Sequence, residues 1–288
     1  MARFPWLIHA FSTRRAGPSR RPSADLNLGF TKGELRARVW KNRDLFLRQL
    51  GVGDFALAAV RQVHSAALYQ VGRTTCGGLE FRLAGNPPSE RPGLAQPEGD
   101  GLLTDQAGIL LSVRTADCLP VLLADPKHRA VAAVHAGWRG ALARIVEKAV
   151  GEMRRVYGSE PQSLLAVLGP SIRACCYEVG EEVEDAFQRR FPNADQLFRA
   201  PAPHHHYHSQ SLANTISPGH NTASKPPIYL DLVAVAQAQL HSAGLAPHHV
   251  AVSDFCTACQ PDLFYSYRRE GNSTGRMLAV IAIRPPKG

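Results

Sequence analysis

Three short apolar runs in quick succession, at 109–113, 119–124 and 130–135, constrain this chain more than any other feature. Each is too short to be a buried helix, and polar or turn-forming pieces such as Ala124-Asp125-Pro126-Lys127 separate them, so they read as buried strands of one sheet. A Gly137-Trp138-Arg139-Gly140 turn follows. Beyond it Leu142, Ile145, Val146, Ala149, Val150 and Met153 recur at helical spacing, while Arg144, Glu147, Lys148, Glu152 and Arg154 take the opposite face. Strand, turn and amphipathic helix in this order set the class as mixed α and β.

The rest of the chain fits that class. A helix is expected over 34–50, with Val39, Leu45, Phe46 and Leu50 inward and Gly51 as its stop. Strands are expected over 57–63, 164–168, 250–253 and 277–283, and helices over 181–191 and 230–242. Two stretches break the pattern and read as loop insertions. One, at 83–99, is rich in Pro and Gly, and its lack of periodicity argues against chemistry there. The other, at 200–227, contains His204, His205, His206, His208 and His220, which read as solvent-facing. No repeat appears at a period of about 20 to 50 residues.

With 288 residues, 44% of them apolar, the chain can bury a full core, as one large domain or two tightly joined halves. No run approaches the roughly 18 to 20 apolar residues of a membrane span, and no signal peptide is read at the amino terminus. Cysteines at 76, 118, 175, 176, 256 and 259 are too sparse for a disulfide-stapled domain, so reduced thiols in the cytoplasm are expected. The net charge of +9 is concentrated in residues 1–50, which hold eleven Lys and Arg against three Asp and Glu. Neither interleaved aromatics nor a recognition motif accompanies the pairs Arg14-Arg15 and Arg20-Arg21, so nucleic acid is not expected as a partner.

Three residues at the ends of expected strands carry ligand-grade atoms: His64, Cys118 and His135. Two imidazoles and one thiolate suit catalytic zinc, which keeps a fourth position for water and lowers its pKa to about 7. Spacing alone leaves the bland alternative open, in which each histidine is a satisfied core residue. Asp117 beside the thiol and Arg139 beyond His135 add a candidate acid-base group and an anion clamp. The helix that begins near Gly140 also offers free N–H groups to an anion such as phosphate, unless the glycines only close the turn.

The strings Ala116-Asp117-Cys118-Leu119-Pro120-Val121, His135-Ala136-Gly137-Trp138-Arg139-Gly140, Gly169-Pro170-Ser171-Ile172 and Cys175-Cys176-Tyr177-Glu178-Val179 resemble the laccase-domain family, also called the multicopper polyphenol oxidase or purine nucleoside phosphorylase family. Agreement extends to both ends, through Phe11-Ser12-Thr13-Arg14, Leu26-Asn27-Leu28-Gly29, Asn42-Arg43, Gln62-Val63-His64, Asp100-Gly101 with Thr104, Asp254-Phe255-Cys256-Thr257, and Phe264-Tyr265-Ser266-Tyr267-Arg268-Arg269 with Gly275-Arg276. The resemblance implies a single-domain layered α/β sandwich with a mixed sheet, of the laccase-domain, cysteine-hydrolase-like type, spanning 1–288.

By the same resemblance His64, Cys118 and His135 fall on zinc ligands. The implied activities are phosphorolysis of adenosine, inosine, guanosine and methylthioadenosine, with phosphate as co-substrate, and deamination of adenosine. Asp117, Arg139, Arg61 and Cys118 are the catalytic candidates, and Arg14, Asn27, Asn42 and Arg268 are the substrate-binding ones. Asp117 is read either as the acid-base group or as a residue that orients a ligand. Two rival chemistries start from the same atoms: copper with phenol oxidation, and a cysteine hydrolase with Cys118 as nucleophile and His135 as base. The Cys256-x-x-Cys259 pair reads as structural rather than redox-active. The expected partners are small molecules, in a monomer or homodimer.

Overall fold

The computed structural model describes residues 4–15, 25–85, 96–199 and 226–286. Strand β1 (Leu7–Phe11) leads to helix α1 (Arg36–Gln49), and strands β2 (Ala56–Ala58), β3 (Leu68–Arg73), β4 (Leu79–Leu83), β5 (Gly101–Thr104), β6 (Ile109–Thr115), β7 (Leu119–Asp125) and β8 (Ala130–Ala136) follow. Helices α2 (Trp138–Leu142) and α3 (Ile145–Tyr157) precede β9 (Leu165–Leu168), β10 (Glu178–Val179) and α4 (Glu181–Gln188). The chain finishes with β11 (Phe198–Arg199), β12 (Ile228–Leu230), α5 (Leu232–Ser242), β13 (Val250–Val252), α6 (Tyr267–Glu270) and β14 (Met277–Ile283).

Two mixed sheets stack face to face. One runs β1-β14-β6-β2, the other β13-β9-β7-β8-β5-β3-β4, and a small β10-β12-β11 sheet lies apart from both. Between the two large sheets Ile109, Leu111 and Val113 meet Leu122, Val131, Ala133, Ala279 and Ile281. The other face of β7 and β8 packs Val121, Leu123, Ala132 and Val134 against Ile145, Ala149 and Met153 of α3 and Val235 of α5. Leu110, Leu278 and Val280 turn outward under Phe46 of α1. The order is helix, sheet, sheet, helices. Strands buried on both faces have no polar side to alternate, which is why β6, β7, β8 and β14 read as continuous apolar runs.

The structure corrects several expectations. The three apolar runs do not share a sheet: β6 belongs to the four-stranded sheet, β7 and β8 to the seven-stranded one. Between β6 and β7 the chain crosses from layer to layer at Ala116-Asp117-Cys118, with Asp117 at φ 93°, and periodicity carries no sign of such a corner. The helix expected across 142–153 is two, because Arg144 sits at φ 61°, pairs with Glu147 and lies over the Phe191 ring. The expected strand at 57–63 stops at Ala58, since the amides of Val63, His64 and Ser65 point to the Asp100 carboxylate rather than to a neighbouring strand.

On α1 it is Arg43, donating to the Leu28 carbonyl, that is buried, while Leu45 is exposed. The last expected helix begins at Leu232, after Asp231 caps it by accepting from the amides of Val233 and Ala234. Most of the two expected loop insertions, with all five of their histidines, lies outside the described residues, as do Arg20 and Arg21. Among the described residues no helix is long and apolar enough to cross a membrane.

Candidate metal centre and substrate cavity

The two sheets converge on a site organised by one buried carboxylate. Asp100, just before β5, accepts from the backbone amides of His64 (3.0 Å) and Ser65 (2.6 Å) and from the Ser65 hydroxyl (2.8 Å). Its other contact is to Nδ1 of His135 at 2.8 Å, and the His135 amide donates to the Asp100 carbonyl at 2.7 Å. With Nδ1 occupied, His135 presents Nε2 to the interior, the tautomer a metal needs. The amide contacts also hold His64 in the left-handed region at φ 59°, turning its ring inward.

Cys118 immediately precedes β7, which runs beside β8 with Pro120 paired to His135. Its Sγ lies 3.7 Å from His64 Nε2, and the two imidazoles meet nearly edge-on with ring centres 5.0 Å apart. One donor atom from each of the three residues falls within 4.8 Å of the others. The donor set therefore fits a single ion. Burial alone would raise the Cys118 thiol, but the charge of His135 and hydrogen bonds from both histidines bring it down to about 6. Burial would likewise lower His135, but Cys118 and Asp100 lift it to about 9. A thiolate already formed at neutral pH is the form that binds a metal.

Gly137 marks the close fit. A Cβ there would stand 2.7 Å from Cδ2 of His64, so that the ring must shift, and 3.1 Å from Sγ of Cys118, a tight contact. Gly137→Ala is therefore expected to push two of the three ligands apart and weaken metal binding about 10- to 100-fold, as loss of a supporting contact does in metal sites. Titration with a competing chelator reads this directly; unchanged affinity would contradict a site this tightly packed around Gly137.

Above the three donors opens a cavity of ≈ 830 Å³, a size that suits a ligand somewhat larger than a single ring. Its walls carry Arg114, Arg139, Arg268 and Arg276 together with the rings of Phe30, Tyr177 and Tyr267. Arg139 lies flat over Trp138 at 4.3 Å, and Arg268 extends over Tyr177 while donating to the Glu178 carbonyl. Asp117 is buried in the same wall. Its oxygens accept from the Thr257 hydroxyl (2.6 Å) and the Arg268 amide (2.7 Å), and burial raises its pKa above the ordinary carboxylate range.

Of the candidates drawn from the sequence, the cavity gathers His64, Asp117, Cys118, His135, Arg139 and Arg268. Arg61 is elsewhere: exposed, paired with Glu98, while its neighbour Gln62 faces the cavity and is bonded to the Arg114 backbone. Arg14 is likewise held away from the cavity between Asp25 and Glu270, stacked on Tyr265. Asn27 accepts from the amides of Gly29 and Arg276, and Asn42 donates to the Asn27 carbonyl, so both brace the wall from behind. Asp100 carries much of the site's order and Arg276 lines the cavity, yet both are legible in the sequence only as motif letters, because a lone Asp or Arg announces neither burial nor direction.

Fold and site together define an α/β protein with a Cys-His-His candidate metal centre beneath a cationic, aromatic-walled cavity. The chain belongs to the family described as multi-copper polyphenol oxidoreductase laccase, which it matches over residues 8–284. It is 32% identical over 281 residues to purine nucleoside phosphorylase YlmD of Geobacillus stearothermophilus, a match spanning 98% of this chain and 92% of that protein. Adenosine deaminase RL5, from an unknown prokaryotic organism, is 33% identical over 277 residues, 95% of this chain and 93% of its own. The crystal structure of YlmD from Geobacillus stearothermophilus aligns with a TM-score of 0.75 at 31% identity, covering 98% of this chain and 93% of that one.

Proposed function

We propose that this chain is a zinc-dependent, cytoplasmic purine nucleoside enzyme. It cleaves adenosine, inosine, guanosine and methylthioadenosine with phosphate to the free base and a sugar 1-phosphate, and it deaminates adenosine in the same cavity. The observation that carries the reading is the joining in one cavity of a three-donor metal set, rings that match a flat base, and guanidinium groups that match an anion. The printed names of the two relatives, one a phosphorylase and one a deaminase, agree with it.

Held by His64, Cys118 and His135, zinc would supply Lewis acidity at the cavity floor. The remaining work falls to the chain's own groups. Phe30, Tyr177 and Tyr267 offer apolar faces to the purine. Arg139 and Arg268 hold phosphate through charge-assisted hydrogen bonds and set one of its oxygens against the sugar C1′. A C1′–O bond forms as the C1′–N9 bond breaks, and the electron pair of the broken bond passes to the purine. Asp117, whose pKa burial raises, is the group we assign to protonate the departing base; in deamination the oxygen of water bonds to C6, and Asp117 takes up its proton and passes one to the amino group, which leaves as ammonia. Its contact with the Arg268 amide ties that step to the anion clamp.

Arg139→Ala is expected to raise KM for phosphate about 10- to 100-fold, the equivalent of about 1.5–3 kcal/mol for a lost bond to a charged group. KM for inosine should move little. Equal losses for both substrates, or none, would contradict the assignment.

One observation favours a second reading. Cys118, His135 and Asp100 stand in series as nucleophile, base and orienting carboxylate, the order a cysteine hydrolase uses. The response to metal removal separates the two. The same donor set would also accept copper, and the ion that elemental analysis finds in wild type and missing from Cys118→Ala decides between them.

A further inference from the structure

Away from the cavity, two separate stretches of chain bring four thiols together. Cys175 and Cys176 lie in the turn between β9 and β10, and Cys256 and Cys259 in the turn between β13 and α6. One sulfur from each falls within 4.8 Å of the other three; Cys176 is 3.3 Å and Cys175 3.6 Å from Cys259. A tetrahedral ion with Zn–S bonds of about 2.3 Å sets its thiolates about 3.8 Å apart, and separations of 3.3 and 3.6 Å with all four sulfurs inside 4.8 Å need only small side-chain shifts to meet it. A disulfide joins only two sulfurs, at about 2 Å, whereas here Cys259 stands close to two partners at once. Multi-iron clusters spread their thiolates around several metals rather than one point.

The surroundings are those of a supported metal knuckle. The Arg173 amide points at Cys256 Sγ, 3.5 Å away, and the Cys259 amide bonds to the same sulfur. Ser171 and Cys256 form a parallel bridge, and the Thr257 amide donates to the Ser171 carbonyl at 3.0 Å, so the two turns are already registered. Arg269 grips the carbonyls of Thr257 and Ala258, and Arg173 that of Ser253. These contacts fix the backbone of the second turn on both sides of Cys256 and up to Cys259.

The geometry points to a second, structural zinc site formed by Cys175, Cys176, Cys256 and Cys259. On binding, the four thiols release four protons and form four Zn–S bonds, with no change of oxidation state. All four positions are filled, so the ion has no open site for chemistry. Its effect is on the walls of the cavity. Thr257, between two of the ligands, holds Asp117, and Tyr177, next to Cys176, lines the cavity. The ion locks both against each other. The Cys256-x-x-Cys259 pair thus gains the second pair that its sequence neighbourhood lacks.

The test is zinc content of the full chain, purified under reducing conditions, for wild type, Cys118→Ala and the double variant Cys256→Ser with Cys259→Ser, together with thiol mapping by mass spectrometry. Cys118→Ala should keep one zinc per chain, and the double variant should lose that ion. In the native wild type, N-ethylmaleimide should label exposed Cys76 and spare the four clustered thiols until a strong chelator is added. If the double variant does not fold, the Cys118→Ala count and the labelling of wild type decide alone. A metal-free Cys118→Ala, labelling of all four thiols without chelator, iron in place of zinc, or protection that only a reductant relieves would overturn the proposal. None of these readouts depends on nucleoside turnover.

Discussion

Cys118→Ala is expected to lower kcat/KM for inosine by at least about 10³-fold, a loss of roughly 4 kcal/mol of transition-state stabilisation. The substitution removes the only anionic donor of the three and leaves two imidazoles, too few to retain a catalytic zinc. Folding should survive, because the substitution removes one half-buried sulfur whose hydrogen-bond partners are His64 and His135. Circular dichroism and zinc content measured beside turnover check this. Under the cysteine-hydrolase reading the same substitution is equally severe, so the control is the wild type stripped of metal. With the three-donor site emptied and the four-thiol ion retained, a hydrolase would keep its activity; a zinc enzyme would lose it and recover on adding zinc. In the stripped protein the Cys118 thiolate prevails above a pH of about 6 and pairs with a His135 imidazolium that persists to about 9. Alkylation by iodoacetamide should therefore rise as pH passes about 6, well below the usual thiol range, and zinc should suppress it.

Asp100→Ala carries the largest expected cost in stability, about 3–5 kcal/mol, as for breaking a buried pair and leaving its partner uncompensated. Three backbone amides, the Ser65 hydroxyl and the His135 ring lose one common acceptor. Metal affinity should fall about 10- to 100-fold even where the chain still folds, because His135 is no longer held in its tautomer. Asp100→Asn retains an acceptor without the charge and isolates the electrostatic part. Burial opposes the Asp100 charge, but His135 and Ser65 more than offset it and hold the carboxyl below its ordinary value. The unfolded chain therefore takes up this proton at the higher pH. The stabilisation is complete above an unfolded pKa of about 3.9 and is lost as pH falls through the lower folded value. Urea unfolding should show the gap between wild type and Asp100→Asn closing below a pH of about 4; a gap independent of pH would contradict the role.

Where the chain repeats a simple pattern, its elements are legible in the residue order alone. The apolar runs at β6, β7, β8 and β14 and the amphipathic face of α3 stand almost where periodicity sets them, because burial on both faces or on one stripe writes itself into residue order. Short strands such as β3, β4 and β5 were passed over, since their pairing rather than their composition makes them strands. Sheet membership was misjudged for β6, where a single residue at positive φ sends the chain to the other layer. In the site, the three donors are legible as ligand-grade atoms, and Cys118 and His135 do stand at strand ends, whereas His64 lies in the loop six residues beyond β2. Asp100 as their organiser is not legible, nor is the withdrawal of Arg61 to Glu98 and of Arg14 to Asp25 and Glu270. Long cations satisfy themselves with whatever carboxylate the fold brings near, and no local pattern records that partner. The four clustered thiols were split in the same way, into pairs far apart in sequence that the fold joins.

The central claim, phosphorolysis of purine nucleosides above the Cys-His-His centre, is tested most directly by chromatography of inosine incubated with the zinc-loaded full chain, with and without inorganic phosphate. Hypoxanthine and ribose 1-phosphate appearing in equal amounts, and only when phosphate is present, is the predicted result. Intact inosine under both conditions, or free ribose released without phosphate, would contradict it.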